Sequence, residues 1–379
     1  MLFAPVFLFL SCTGQLPAEL PPERQADFLK VAGQAYLHNR EGFARFTCRF
    51  ETTFGKARSW EDALARRLEN PCTFDGLWVV DGDKVRFELL CDPEKIPVIA
   101  VGHYLDSPFL SNMFLGDSSI QLTVSPDQGI ANINPPELPA GLKMTPFDMG
   151  WMGENEQSSP GRYILRSLED KKETALYEGA EKHEGVEAAV VKVGGGKGGR
   201  WCKYYMDPKR GFLPVETVVT ENDKMSYRYL ITDIKSCPGG LWYPAQSLVV
   251  IYPFKGEPKF IVKIWEVKEM RLDELPPANP FCINVPKGTT ICDASVSTPA
   301  QYKLEKDETI CLSGLKDVLD KARLIGAKRA GIGGGERIAE HPRSNFGVIV
   351  GVNVALAVAI ALAVYLRYRK RKSNSSVGD

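Results

Sequence analysis

Residues 200–234 read RWCKYYMDPKRGFLPVETVVTENDKMSYRYLITDI. Three runs rich in aromatic and β-branched residues are broken only by Asp207-Pro208 and by Glu221-Asn222-Asp223-Lys224. Breaks this short leave room for hairpins alone, so the three runs are antiparallel neighbours. The pattern continues outward. Upstream lie β runs at 174–181 and 187–193, then Gly194-Gly195-Gly196-Lys197-Gly198-Gly199. Downstream, Pro238-Gly239-Gly240 and the turn-rich 254–258 set off further runs at 241–252 and 259–270. Successive strands joined in this way make a meander.

The first half adds to the sheet. Phe46, Cys48, Phe50, Thr52 and Phe54 alternate with Arg45, Thr47, Arg49, Glu51 and Thr53, as in a half-buried strand. Asp81-Gly82 between two β patterns predicts a two-residue hairpin with positive φ at both positions. Residues 96–101 and 119–134 read as further strands. Apolar residues at three- and four-residue spacing predict a helix over 22–38, opened by Pro22. Ser59-Trp60-Glu61-Asp62 resembles a capping box before a short helix. The expected fold class is therefore mainly β within α+β: one large antiparallel meander of about ten or more strands, wide enough to curl into an incompletely closed barrel.

The two ends carry the location signals. Phe346 to Leu366 is a run of 21 residues without a charge, long enough as a helix to cross about 30 Å of hydrocarbon. Arg367, Arg369, Lys370, Arg371 and Lys372 follow at once, which places the 367–379 tail in the cytoplasm and the body outside it. That topology needs an exported N-terminus. Residues 1–14, beginning MLFAPVFLFL, read as a signal peptide without a basic start. Phe9-Leu10-Ser11-Cys12 also resembles a lipobox, in which Cys12 would be lipidated. Within the span, Gly347, Gly351, Ala355, Ala359 and Ala363 recur every four residues, a stripe that would let two helices form a homodimer. The plainer reading of the stripe is composition alone. The domain plan is thus a signal at 1–14, a β domain at 22–312, a weak helix and Gly-rich tether at 313–345, the span at 346–366 and the basic tail.

The chain holds 47 basic and 47 acidic side chains, and five of the basic ones sit in the tail. The remaining body is slightly acidic, which excludes a nucleic-acid partner on electrostatic grounds. Of nine cysteines, eight remain beyond Cys12, an even number suited to an oxidising compartment. A bridge is expected among Cys282, Cys292 and Cys311, while Cys48 and Cys202 lie in strand patterns as small apolar residues. No CxxC is present. The Gly194–Gly199 segment lacks the Ser or Thr that a phosphate loop needs after its Lys and is read as a hairpin loop. Gly116-Asp117-Ser118-Ser119-Ile120 fails the nucleophile-elbow pattern at its last position. His183 stands in a charged run read as a solvated turn, and His103 with Asp106 is an isolated pair. No catalytic residue, metal ligand or cofactor-binding motif is assigned, and the reading is of a protein that is not an enzyme.

Four segments in order carry a family resemblance. They are Gly76-Leu77-Trp78-Val79-Val80-Asp81-Gly82-Asp83-Lys84-Val85-Arg86, the 200–215 strand–turn–strand with its Asp207-Pro208-Lys209-Arg210-Gly211 turn, Gly240-Leu241-Trp242-Tyr243-Pro244, and Phe281 through Thr289. In this order they resemble the lipoprotein-carrier-like proteins around LolA, LolB and RseB, over about 25–293. The resemblance implies a bacterial-envelope protein with helices covering the concave face of an open barrel, and an apolar cleft that holds acyl chains. The expected function is a single-pass, membrane-anchored binding protein, its body in the periplasm or extracytoplasmic space, holding a lipid, a lipidated protein or another apolar ligand. Two alternatives stand beside it: an envelope sensory or interaction subunit acting through a membrane partner, and a structural envelope protein with a C-terminal sorting segment.

Overall fold

The structure is a computed structural model that describes residues 16–91, 112–134, 159–169, 174–183, 185–195, 199–253, 258–295 and 300–329. All belong to one compact unit reaching Ala330. In chain order the strands are β1 (Arg45–Ala57), β2 (Glu69–Asp81), β3 (Lys84–Leu90), β4 (Asn112–Gly116), β5 (Gln121–Ser125), β6 (Ile130–Asn134), β7 (Thr174–His183), β8 (Val186–Gly194), β9 (Arg200–Asp207), β10 (Leu213–Glu221), β11 (Lys224–Cys237), β12 (Leu241–Ile251) and β13 (Phe260–Leu272). Four short ones follow: β14 (Cys282–Val285), β15 (Thr290–Asp293), β16 (Gln301–Lys303) and β17 (Glu308–Cys311).

The meander from β7 to β13 is present as read. Its last strand pairs antiparallel with β1, from which a second meander runs to β6. The result is a single sheet of 15 strands, ending at β7 on one side and at β16 on the other, so it is curved and not closed. One joint was not expected. β15 pairs parallel with β6, after the chain has crossed back from the far half of the sheet. Parallel pairing requires such a long return, and local hairpin signals do not announce it.

Helix α1 (Pro22–Glu41) begins at the expected proline. The capping reading also corresponds to the structure: Ser59 Oγ accepts from the Asp62 amide at 3.1 Å and opens α2 (Trp60–Leu64). α1 and α3 (Pro160–Glu169) cross where Gly33 meets Gly161; a side chain on Gly161 would sit 2.7 Å from the Gly33 carbonyl oxygen. Both helices lie on one face of the sheet. Leu29, Ala32 and Tyr36 of α1 and Ile164 of α3 join a single core with Trp78, Phe87, Val191, Tyr204 and Trp265. A core that draws on strands from β4 to β7 around two helices defines the concave face. On the opposite face, β11 to β13 bury Leu230, Leu248, Val262 and Ile264 beneath α2.

In the 313–345 segment the expected helix is present, and the Gly-rich tether after it lies outside the described residues. α4 (Leu315–Arg329) packs into a second core with β4 to β6 and β14 to β17, burying Leu315 and Ala322 completely. Arg323 Nε donates to Asp293 Oδ2 at 2.7 Å, tying the helix to β15. The packed body therefore continues past residue 312. Packing also begins ahead of α1: Leu16 is buried and Tyr177 Oη donates to the Pro17 carbonyl at 2.5 Å. The first hairpin also differs. Asp81 pairs with Lys84, so the turn residues are Gly82 and Asp83, and positive φ occurs at Gly82 alone. That suits a turn with glycine first rather than one needing two left-handed residues. Two such residues occur at Asn222-Asp223, with φ of 50° and 60°, and at Gly239-Gly240, with φ of 85° and 77°.

Candidate ligand-binding face

The concave face is built by strand alternation. Across β2, β1, β13 and β12 one row is Phe74, Thr52, Trp265 and Ser247. The next is Cys72, Phe54, Lys263 and Val249. Residues directly opposite in antiparallel strands share a face, and residues two apart repeat it. Both rows therefore look the same way as the main core. From Trp265 an aromatic track leads along the sheet. Ring centres are 4.9 Å apart for Phe50 and Trp265, 5.9 Å for Phe50 and Phe87, and 5.9 Å for Phe87 and Trp78. Gly76, directly across from Phe50, makes room for its ring: a methyl group there would lie 2.1 Å from it.

Polar groups break this apolar surface at few points. Lys263 Nζ sits 4.2 Å from the centre of the Trp265 ring and 5.1 Å from that of Phe54. It has no ion pair among the described residues. Burial depresses its pKa to about 7. Thr52 Oγ1, Trp265 Nε1 and Trp78 Nε1 are buried without hydrogen-bond partners among the described residues. Cys72 and Cys91 bring their sulfurs to 3.4 Å beside Phe54 and Phe74, and burial pushes the Cys72 thiol up to about 12.

The segments that carried the family resemblance are architectural. Asp207 accepts from the Lys209 amide at 2.9 Å, and Gly211 turns with φ of 64° against Asn39 of α1. Asn39 itself donates to the Trp242 carbonyl at 2.9 Å and accepts from the Trp242 amide at 2.8 Å. The Asp-Pro turn and the Leu241-Trp242-Tyr243 step thus hold the helical cover on the sheet.

The remaining sequence-derived positions divide as follows. Cys282 and Cys311 are bridged across β14 and β17, while Cys292 carries a free thiol. Cys48 and Cys202 are buried free thiols. His183 is not in a solvated turn: it stacks on Tyr205 at 4.4 Å, and its Nε2 lies 2.6 Å from the carboxylate of buried Glu216, which also pairs with Arg228. This ion cluster sits with Leu230 on the face away from the concavity. An open polar groove with Glu51, Arg66 and Glu266 lies there too. The Gly194–Gly199 segment joins β8 to β9, a hairpin and not a phosphate loop. No metal-holding cluster occurs among the described residues. Cys12, His103, Asp106, the 346–366 run with Gly347, Gly351, Ala355, Ala359 and Ala363, and the basic cluster lie outside them. No described helix is long and apolar enough to cross a membrane.

No protein-family model and no curated protein matches the chain. Solved structures do. An outer membrane lipoprotein-sorting protein domain from Vibrio parahaemolyticus is 11% identical over 68% of this chain and 96% of that one, with a TM-score of 0.40. A DUF1329 family protein from Desulfovibrio piger is 11% identical over 65% and 93%, with a TM-score of 0.37. MucB in the MucA/MucB complex of Pseudomonas aeruginosa belongs to the same set of matches, at 12% identity over 64% and 99% and a TM-score of 0.23. Lipoprotein sorting is the group that the sequence motifs resemble. At these TM-scores the likenesses add no weight; the fold rests on the strand pairing above.

Proposed function

We propose that this protein is an extracytoplasmic binding module whose concave β face holds an apolar or amphipathic ligand, such as the acyl chain of a lipid or of a lipidated protein, beside a membrane. One observation carries the reading. The inner face is an aromatic and aliphatic surface under two helices, interrupted by polar groups that lack partners among the described residues. Sites for small apolar molecules have this makeup: a mostly apolar wall with a few polar groups that fix orientation. The motif order supports the same direction. The test is the full chain with a fluorescent fatty acid; binding raises the emission, and hexadecanoic acid competes it away. Unchanged emission with the folded protein refutes the reading.

The anchor is the 346–366 segment, oriented by Arg367, Arg369, Lys370, Arg371 and Lys372. A chain lacking 346–379 is expected to leave the membrane fraction on alkaline washing. Retention there would shift the anchor to Cys12 or to an uncleaved N-terminus. A homodimer through the Gly347/Gly351 stripe belongs to the same proposal.

A further inference from the structure

On the concave face, four residues of two adjacent strands form a compact patch. Thr52 is opposite Trp265, and Phe54 is opposite Lys263. The Lys263 ammonium rests on the Trp265 and Phe54 rings and meets no carboxylate among the described residues. Thr52 and Trp265 are 0% and 2% exposed, and the Oγ1 of the first and the Nε1 of the second have no partner among the described residues. An ammonium and an indole N–H can only donate hydrogen bonds, while a hydroxyl can do either. Among the described residues the patch is thus a cluster of three donors with one positive charge, and the Thr52 hydroxyl is its one acceptor. Buried charge and buried donors persist where something pairs with them. The group that fits is an acceptor bearing negative charge.

The geometry points to Lys263, Thr52 and Trp265 as the head-group site of the concave face, taking the anionic end of a long-chain amphiphile. The chain would lie along Phe50, Phe87 and Trp78, whose rings continue from Trp265. A carboxylate offers lone pairs to all three donors, and so does a phosphate monoester; both are the same chemistry to this patch. The ammonium keeps its cation–π contacts with the rings when such a group arrives, so the anion adds to an arrangement already in place. This inference rests on the acyl-binding reading above and names the class of ligand.

The test uses the full chain held in amphipol and competes a dansyl-labelled fatty acid with hexadecanoic acid, hexadecyl phosphate or hexadecanol. Wild type is expected to bind at least one anionic amphiphile about ten-fold more tightly than the alcohol. The two anionic arms tell a carboxylate ligand from a phosphate one. Lys263→Met keeps the length and apolar body of the side chain and is expected to abolish the preference of the acid and the phosphate over the alcohol. Thr52→Val is expected to weaken the anionic ligands by a smaller factor. Equal affinity of all three ligands in wild type, or a preference that survives in Lys263→Met, overturns the head-group assignment while leaving acyl binding intact. Absence of binding by every ligand overturns both.

Discussion

Lys263 sits in a run, Phe260 through Leu272, whose faces the sequence does not separate. Ile261, Val262, Ile264, Trp265 and Val267 are all buried, so both sides of β13 are apolar and the alternation that marks an inward residue is blurred. Its role became visible only from the register with β1. Its charge has a consequence for stability. The ordinary pKa is 10.5 and burial brings it to about 7, so between these values the unfolded chain holds more protons and stability rises with pH. The charged lysine therefore costs stability in full below about pH 7, and the cost disappears above the unfolded value. Lys263→Met is expected to stabilise the ligand-free protein at pH 6 by on the order of a few kcal/mol, read as a higher melting temperature. The gain over wild type should shrink as pH approaches 10. A variant less stable than wild type at pH 6 would mean that Lys263 already has an anionic protein partner. Gly76 is the opposite case. It was quoted as part of a motif, and its reason is the Phe50 ring lying across it. Gly76→Val should lower the unfolding free energy by about 1–3 kcal/mol, read as a lower urea midpoint, because Phe50 is confined between Phe87 and Trp265. An unchanged midpoint would show that the ring has free space.

At the scale of elements, the hairpins were the legible part. Each of the connections from β7 to β13 is short and carries its own turn chemistry, which depends only on neighbouring residues. The parallel β6–β15 joint and the docking of α4 depend on residues more than a hundred positions apart, and no local pattern encodes them. α4 docks through Leu315, Val318, Leu319, Ala322 and Ile325 on the surface that β4 to β6 offer, and the Asp293–Arg323 contact ties it to β15. Burial raises the Asp293 pKa, but hydrogen bonds from Ser295 and Arg323 outweigh it and hold the carboxyl below its usual range. The Cys282–Cys311 bridge closes the small β14–β17 sheet that completes this second core. Replacing both cysteines by alanine should destabilise the protein by about 3 kcal/mol, given a loop separation of 29 residues. Hydrogen exchange should speed up first in β14, β17 and α4. Unaltered melting and exchange would mean that packing alone holds that sheet.

For the whole molecule, two meanders joined through β1 and β13 bend around a pair of helices, and the Asp207–Gly211 turn and the Leu241-Trp242-Tyr243 step fasten those helices down. The open sheet was legible from strand number and turn spacing. The candidate site was not, since it is assembled from one residue pair on each of two strands far apart in the chain and shows no motif along it. The proposed export and anchor segments, 1–14 and 346–366, would set where such a face works. The most direct measurement is mass spectrometry of what copurifies with the full chain, before and after organic extraction. The account predicts one long-chain amphiphile with an anionic head per protein, lost from Lys263→Met. A folded wild-type protein that carries nothing apolar and takes up no fatty acid would contradict it.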